Sequence, residues 1–223
     1  MKRIVLMAVA ALSGLAPAVA LEAQAPSGVR GQGYGAVVTL LPGTQQFAAA
    51  ALPVDGGMAN ADLDNAGVAN TLTANSLQSI TTGMADNPVS SSQTTAEAVD
   101  VTILNGVITV RQVVGVASSY VNQLAATSSA DGSMLLGLVV NGVPVGAGDV
   151  TPAPNTRIDL PGVGYVILNE QTVSGDGVTT SGITVNMIHV VLQTILPSGP
   201  LGGGGVQHVG DVIVGSAASS VSQ

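Results

Sequence analysis

The sequence predicts an all-β chain, an antiparallel β-sandwich of jelly-roll-like type forming a single domain behind a signal peptide, and three observations carry that prediction. Apolar residues make up 46% of the chain while Phe, Trp and Tyr supply only 2%, so the core must be built from Ala, Val, Leu and Ile, and small branched side chains suit strands. Only 8% of residues are charged, which excludes a charged helical bundle or a solvated acidic tail as the main architecture. From Ala96 onward, apolar segments alternate with Gly, Pro and Asn at short intervals, the pattern of antiparallel strands joined by tight turns.

Taken in order, the chain opens with the features of a secretory leader. Lys2 and Arg3 form a basic start, Ile4 to Leu15 an apolar stretch, and Ala18-Val19-Ala20 a small-x-small cleavage signal. Gly14 and Pro17 interrupt the apolar run, so residues 1–20 read as a cleavable signal peptide rather than a permanent span. Cleavage is expected after Ala20, with Ala23-Gln24-Ala25 as a second site. Residues 21–32 read as a flexible segment and 33–223 as the sandwich domain. The first clear strand is Ala36 to Leu41, followed by weaker ones up to about Ser92.

The strongest local signal is Val99 to Arg111 around Asn105-Gly106, a dipeptide that supplies the two positive φ angles of a type I′ turn. A two-residue loop sets Leu104 opposite Val107, Ile103 opposite Ile108, Thr102 opposite Thr109, Val101 opposite Val110 and Asp100 opposite Arg111. Ile103, Ile108, Val101 and Val110 then share an apolar face, and Arg111 is expected to form an exposed cross-strand ion pair with Asp100. Asn141-Gly142 repeats the logic with Val140 opposite Val143 and Leu138 opposite Val145, and Pro144 places that strand at an edge. Pro161-Gly162 suggests a third hairpin pairing Leu160 with Val163 and Ile158 with Tyr165. Ile183 to Leu196, bounded by Gly182 and Pro197, reads as a central strand; Gly202 to Gly205 reads as a loop and Val209 to Ala218 as the closing strand.

Several short motifs resemble the bacterial choice-of-anchor P family: Leu138-Val139-Val140-Asn141-Gly142, Pro154-Asn155-Thr156, Leu160-Pro161-Gly162-Val163-Gly164, Val166-Ile167-Leu168-Asn169-Glu170-Gln171, the strand Ile183 to Leu192, and Gly210-Asp211-Val212-Ile213-Val214-Gly215-Ser216-Ala217. The resemblance covers residues 96–218, with a looser echo at Gly33 to Leu41. It implies an extracellular bacterial domain of uncharacterised function whose relatives reach the surface by different C-terminal anchors. Here Leu196-Pro197-Ser198-Gly199 lacks the threonine of a sortase signal, and the polar stretch Ser216 to Gln223 does not suit a bilayer.

Composition narrows the function classes. The formal charge is −8, and the only basic residues are Lys2, Arg3, Arg30, Arg111 and Arg157, so the chain lacks the basic cluster and the stacking platforms that nucleic-acid binding requires. It has no cysteine, hence no disulfide, thiolate metal site or cysteine nucleophile. After leader removal no lysine remains, which excludes an isopeptide bond within the chain.

His189 and His208, the only histidines, come with no G-x-S-x-G elbow, and His189 lies inside an apolar strand as a structural histidine. Asn60, Asp62 and Asp64 place oxygens at alternate positions ahead of Gly67, but Thr71 stands where a calcium loop needs Glu, so they read as an ordinary polar loop. Asp55 and Asp86 read as turn residues. Glu170 and Asp159 read as solvated strand ends rather than a glycosidase pair. Gly31-Gln32-Gly33-Tyr34-Gly35 lacks dinucleotide spacing, and Gly202 to Gly205 has no following lysine.

The expectation is therefore an exported cell-surface or extracellular structural or interaction protein, not an enzyme, with no catalytic, cofactor or metal site. Its partners would be a surface polymer, a protein, or its own copies through edge strands, with no nucleic acid and no integral membrane segment. A binding module and a secreted hydrolase are the alternatives, and the periplasm is the alternative compartment.

Overall fold

A computed structural model describes residues 28–41, 43–86, 88–146, 148–196 and 205–223. The leader, both cleavage signals and Pro197-Ser198-Gly199 lie outside these residues. Long strands dominate: β1 (Val29–Leu40), β2 (Gly43–Ala51), β3 (Gly57–Val68), β4 (Leu72–Asp86), β5 (Val89–Ile103) and β6 (Ile108–Val121) come first. Short strands β7 (Ala126–Ser129), β8 (Met134–Leu136), β9 (Val139–Val140), β10 (Val143–Pro144) and β11 (Asp149–Val150) follow, then β12 (Thr156–Leu160), β13 (Gly164–Gly175), β14 (Thr180–Leu196) and β15 (Gly205–Ser222). No helix among the described residues is long and apolar enough to cross a membrane.

The strands form two antiparallel sheets packed face to face. The first runs β12-β13-β14-β15-β1-β2, and the second β10-β9-β6-β5-β4-β3, with β7 and β8 also on β6 and β11 on β8. The sandwich is formed as expected; the jelly-roll expectation holds in its layering but not in its connectivity, since consecutive strands meander within each sheet and the last strand returns beside the first. The amino-terminal half is also more fully stranded than expected, with β1 beginning at Val29, inside the stretch read as flexible.

Turn chemistry decided register where it was unambiguous. Asn105 and Gly106 have φ of 54° and 97°, and Ile103↔Ile108, Thr102↔Thr109 and Val101↔Val110 pair as expected. Val140↔Val143 also holds, Val145 N–H donates to Leu138 C=O at 2.9 Å, and β10 with Pro144 is an edge strand. The Pro161 hairpin differs by one residue, pairing Leu160 with Gly164, Asp159 with Tyr165 and Ile158 with Val166. Pro-Gly closes a turn from Leu160 to Val163, with Gly162 at φ 77°, and Gly164 at φ 141° is needed as well to rejoin the twist of the strands.

One feature was not expected: in both sheets the side-chain alternation inverts along a single row that crosses the strands. In the first sheet the row is Ala48, Gly35, Gly215, Met187 and Asn169, with φ of 49° at Ala48, 67° at Gly215 and 50° at Asn169. Residues on either side of this row keep one-to-one pairing, yet two consecutive side chains turn inward, as in the buried pairs Gly35-Ala36, Met187-Ile188, Val214-Gly215 and Leu168-Asn169. In the second sheet the row is Asn65, Asn75, Asp100 and Arg111, with φ of 53° at Asn65 and 50° at Asp100, and here all four side chains are exposed. A left-handed residue turns the chain over in β2, β3, β5, β13 and β15, resetting which parity faces the core. The strands beside them change parity at Gly35, Asn75, Arg111 and Met187 without a positive φ, in register with those neighbours. We call this row the crease.

The crease also accounts for the missing ion pair at Asp100. Its carboxylate accepts from Asn75 Nδ2 at 2.9 Å, while Arg111 lies over Gly137, where an added Cβ would come within 2.6 Å of its Nε.

Interior chemistry differs on the two sides. One side is aliphatic, with Val38, Leu72, Ile103, Ile108, Leu168, Ile188, Val190 and Val212 buried. The other keeps Ile183, Val185 and, at its far end, the cluster of Val29, Val121, Ala126 and Val221, but between them it passes through Ala96, Ala98, Ala117 and Ala217 to buried hydroxyls: Ser79, Thr81, Ser92, Thr94, Ser119 and Ser219. These are partnered, Thr94 Oγ1 donating to Thr81 Oγ1 at 2.9 Å, Ser92 Oγ to Arg30 C=O at 2.7 Å and Ser219 Oγ to Ser92 C=O at 2.9 Å. Gly31, read from sequence as part of a flexible segment, belongs to this packing, since a Cβ there would collide with Thr81 Oγ1.

Candidate functional site

The densest titratable cluster sits on the outer face of the first sheet, and the crease assembles it. In a regular strand Asn186 and His189, three residues apart, would point to opposite faces. Because Met187 and Ile188 both turn inward, Asn186 and His189 both turn outward, as do Glu170 beyond Asn169 and Ser216 beyond Gly215. His189 Nδ1 then lies 2.9 Å from Glu170 Oε2 and its Nε2 3.1 Å from Asp211 Oδ1. Asn186 Nδ2 donates to Glu170 Oε2 at 2.7 Å, Ser216 Oγ donates to Asn186 Oδ1 at 2.7 Å, and His208 Nε2 lies 2.9 Å from Asp211 Oδ2.

The three central side chains are 18% (His189), 24% (Glu170) and 22% (Asp211) exposed, so water screens them only in part. Burial alone would lower the His189 pKa, but hydrogen bonds and charge from Asp211 and Glu170 outweigh it and push the value up to about 9. The Glu170 carboxyl is held below its ordinary value chiefly by the bond from His189. Burial raises Asp211, yet the bonds from His189 and His208 bring it below the ordinary value. At neutral pH the centre is an imidazolium donating one N–H to each of two carboxylates.

That arrangement stabilises the sheet and leaves little chemistry available. A general base needs a free ring nitrogen near a nucleophile, and both nitrogens of His189 are occupied. The nearby hydroxyl, Ser216, is bonded to an amide oxygen, away from the imidazole. No group of three or more His, Asp or Glu among the described residues is placed to hold a metal ion.

The other sequence candidates do not join this cluster. Asn60, Asp62 and Asp64 lie in edge strand β3 rather than in a loop, a correction whose reason is the ladder from β3 to β4; alternate residues about 6.6 Å apart along a strand cannot wrap one cation. Asp62 instead accepts from Gln78 and Asn60. Asp55 lies in a turn, and Asp86 closes β4. Asp159 pairs with Arg157 at 2.9 Å, and that guanidinium stacks over Tyr165 at 3.8 Å from the ring centroid. Glu170 is not a strand end, since β13 continues to Gly175. Sequence reading missed Asp211, Asn186 and Ser216 as its neighbours, because strict alternation separates them.

The outer face of the second sheet carries a different feature, a trough of about 490 Å³ over the hydroxyl-rich half. Its sides and floor include Thr82 and Met84 on β4, Ser91 and Gln93 on β5, Ser118 and Tyr120 on β6, and Thr127 and Ser129 on β7, and no lining residue is charged. The register places Thr82, Gln93, Ser118 and Ser129 in one row, and Met84, Ser91, Tyr120 and Thr127 in the next.

Comparison of the chain with family models, with curated proteins and with solved structures finds no match.

Proposed function

We propose that this chain is an exported bacterial cell-surface or extracellular protein, as its resemblance to choice-of-anchor P proteins implies, and that it acts by structure or interaction with no catalytic activity of its own. The observation that supports this most directly is the His189 clamp. The cluster that brings an imidazole, two carboxylates and a hydroxyl together places the imidazole between the carboxylates and turns the hydroxyl away from it. The experiment is fractionation of the producing cell combined with a panel of ester, peptide and glycan hydrolysis assays on purified protein. The reading expects a chain trimmed after Ala20 or Ala25, recovered in medium, periplasm or surface fractions, with no turnover. An intact leader on cytosolic protein overturns export, and turnover abolished by His189→Gln overturns the non-catalytic role.

Of the two kinds of role, the trough favours interaction, since a purely structural module has no need of an uncharged recess on an outer face.

A further inference from the structure

We infer that the trough on the second sheet is a binding site for a neutral polyhydroxylated chain, a glycan without uronate, sulfate or phosphate groups, with Tyr120 as its stacking surface. The inference rests on the interaction reading above and names the ligand class of that site.

Four properties of the site select this chemistry. The lining contains no Asp, Glu, Lys, Arg or His, so nothing in it neutralises an ionic ligand, and the net charge of −8 disfavours an anionic one. Its polar groups are hydroxyls and one primary amide, from Thr82, Ser91, Gln93, Ser118, Thr127 and Ser129. Ser118 Oγ already donates to Ser129 C=O and Ser129 Oγ accepts from Asp131 N–H, which leaves the first to accept and the second to donate. Such groups donate and accept in the short, many-angled hydrogen bonds that sugar hydroxyls require. Tyr120, 42% exposed, presents a ring that the C–H face of a pyranose can cover, and Met84, 56% exposed, supplies a second apolar contact across Ser91. The volume, about 490 Å³, falls within the range of small-molecule sites.

The floor also separates a glycan from an extended peptide. Peptide strands are usually captured on unpaired backbone groups at a sheet edge. Here β4, β5 and β6 are laddered on both sides beneath the trough, so over most of the floor backbone groups are committed and side chains alone face the ligand; β7, paired only with β6, is the one open edge along the trough. Three strand spacings of about 4.8 Å separate β4 from β7, enough for two or three sugar rings laid across the strands.

The test is affinity electrophoresis of the purified chain through gels containing xylan, galactomannan, mixed-linkage β-glucan or dextran, with pull-down on insoluble cellulose and chitin. At least one neutral polymer should retard the protein; Tyr120→Ala should weaken binding tenfold or more and Gln93→Ala severalfold. Tyr165→Phe, which keeps the ring stacked on Arg157 on the other sheet, should bind like the parent. Matching circular dichroism and melting curves for the variants exclude misfolding. No retention on any neutral polymer, retention insensitive to both trough variants, or selective retention by alginate, heparin or an unstructured polypeptide overturns the ligand class. Those outcomes leave the non-catalytic reading standing as long as the hydrolysis panel shows no turnover; cleavage of a retarding polymer that survives Tyr120→Ala in excess polymer overturns that reading instead.

Discussion

The two halves of the interior, divided by the crease, solve the same packing problem with different proportions of aliphatic and hydroxyl side chains. On one side Ile103, Ile108, Leu168 and Val190 exclude water with bulk; on the other Ser79, Thr81, Ser92 and Thr94 place hydrogen-bonded hydroxyls in the interior. Burying a hydroxyl costs free energy unless it finds a partner, and among the described residues no buried side-chain nitrogen or oxygen lacks one. The difference teaches that small polar side chains can line a sandwich when the opposing strand offers glycine, as at Gly31 and Gly33, and a carbonyl or hydroxyl within reach.

The largest expected effect lies in the aliphatic half. Leu168→Ala removes a fully buried side chain where neighbours are bulky, and should cost about 3–4 kcal/mol by urea denaturation. A cost below about 1 kcal/mol would show that this half collapses as readily as the other, and the comparison would fail.

Next comes the clamp at the seam. The folded His189 pKa, about 9, lies above the ordinary value of 6.5, so its contribution is fully present below pH 6.5 and is lost as pH rises through 9. Glu170 and Asp211 act in the opposite direction: their folded values are lowered, so their contribution is present above the unfolded pKa of about 4 and fades as pH falls through the folded values. Stability should fall by about 2 kcal/mol between pH 6 and pH 10, and His189→Gln should remove most of that slope. An unchanged slope in the variant would assign the pH dependence elsewhere.

A smaller effect sharpens the account of the hydroxyl half. Thr81→Val and Thr94→Val should each cost about 1–2 kcal/mol, because each strands a partner, whereas the double variant should cost clearly less than their sum. Simple additivity would mean the pair contributes only as packed volume. The smallest effect concerns the exposed crease of the second sheet, where Asp100→Ala and Arg111→Ala should show a coupling below about 0.3 kcal/mol in a double-mutant cycle, since Asp100 is bonded to Asn75.

These contrasts also mark what the sequence made legible. Each Asn-Gly dipeptide set a hairpin register through its two positive φ angles. At Asn105 the loop nonetheless differs from the two-residue form, since Leu104 is left-handed as well and the ladder closes at Ile103 and Ile108 rather than at Leu104 and Val107. Pro144 placed its strand at an edge because proline donates nothing to a ladder. The Pro161-Gly162 register was off by one, since that dipeptide makes a turn whose hand needs Gly164 to compensate. The amino-terminal strands were faint because Gly, Ser and Thr leave no apolar alternation to read. His189 was legible as structural, but its partners were not. Locating them required knowing that Asn169 and Gly215 take left-handed angles, and Asn and Gly occur too often in this chain to single those two out.

A row that resets parity divides each long strand into two stretches in series, one burying odd-numbered and the other even-numbered positions. Hybrid proteins recombined at Gly35, Ala48, Asn169, Met187 and Gly215 in one sheet, and at Asn65, Asn75, Asp100 and Arg111 in the other, would exchange one interior for another without changing strand length or pairing partners. The boundary between separately variable modules in this molecule runs through the strands and leaves the loops out of it.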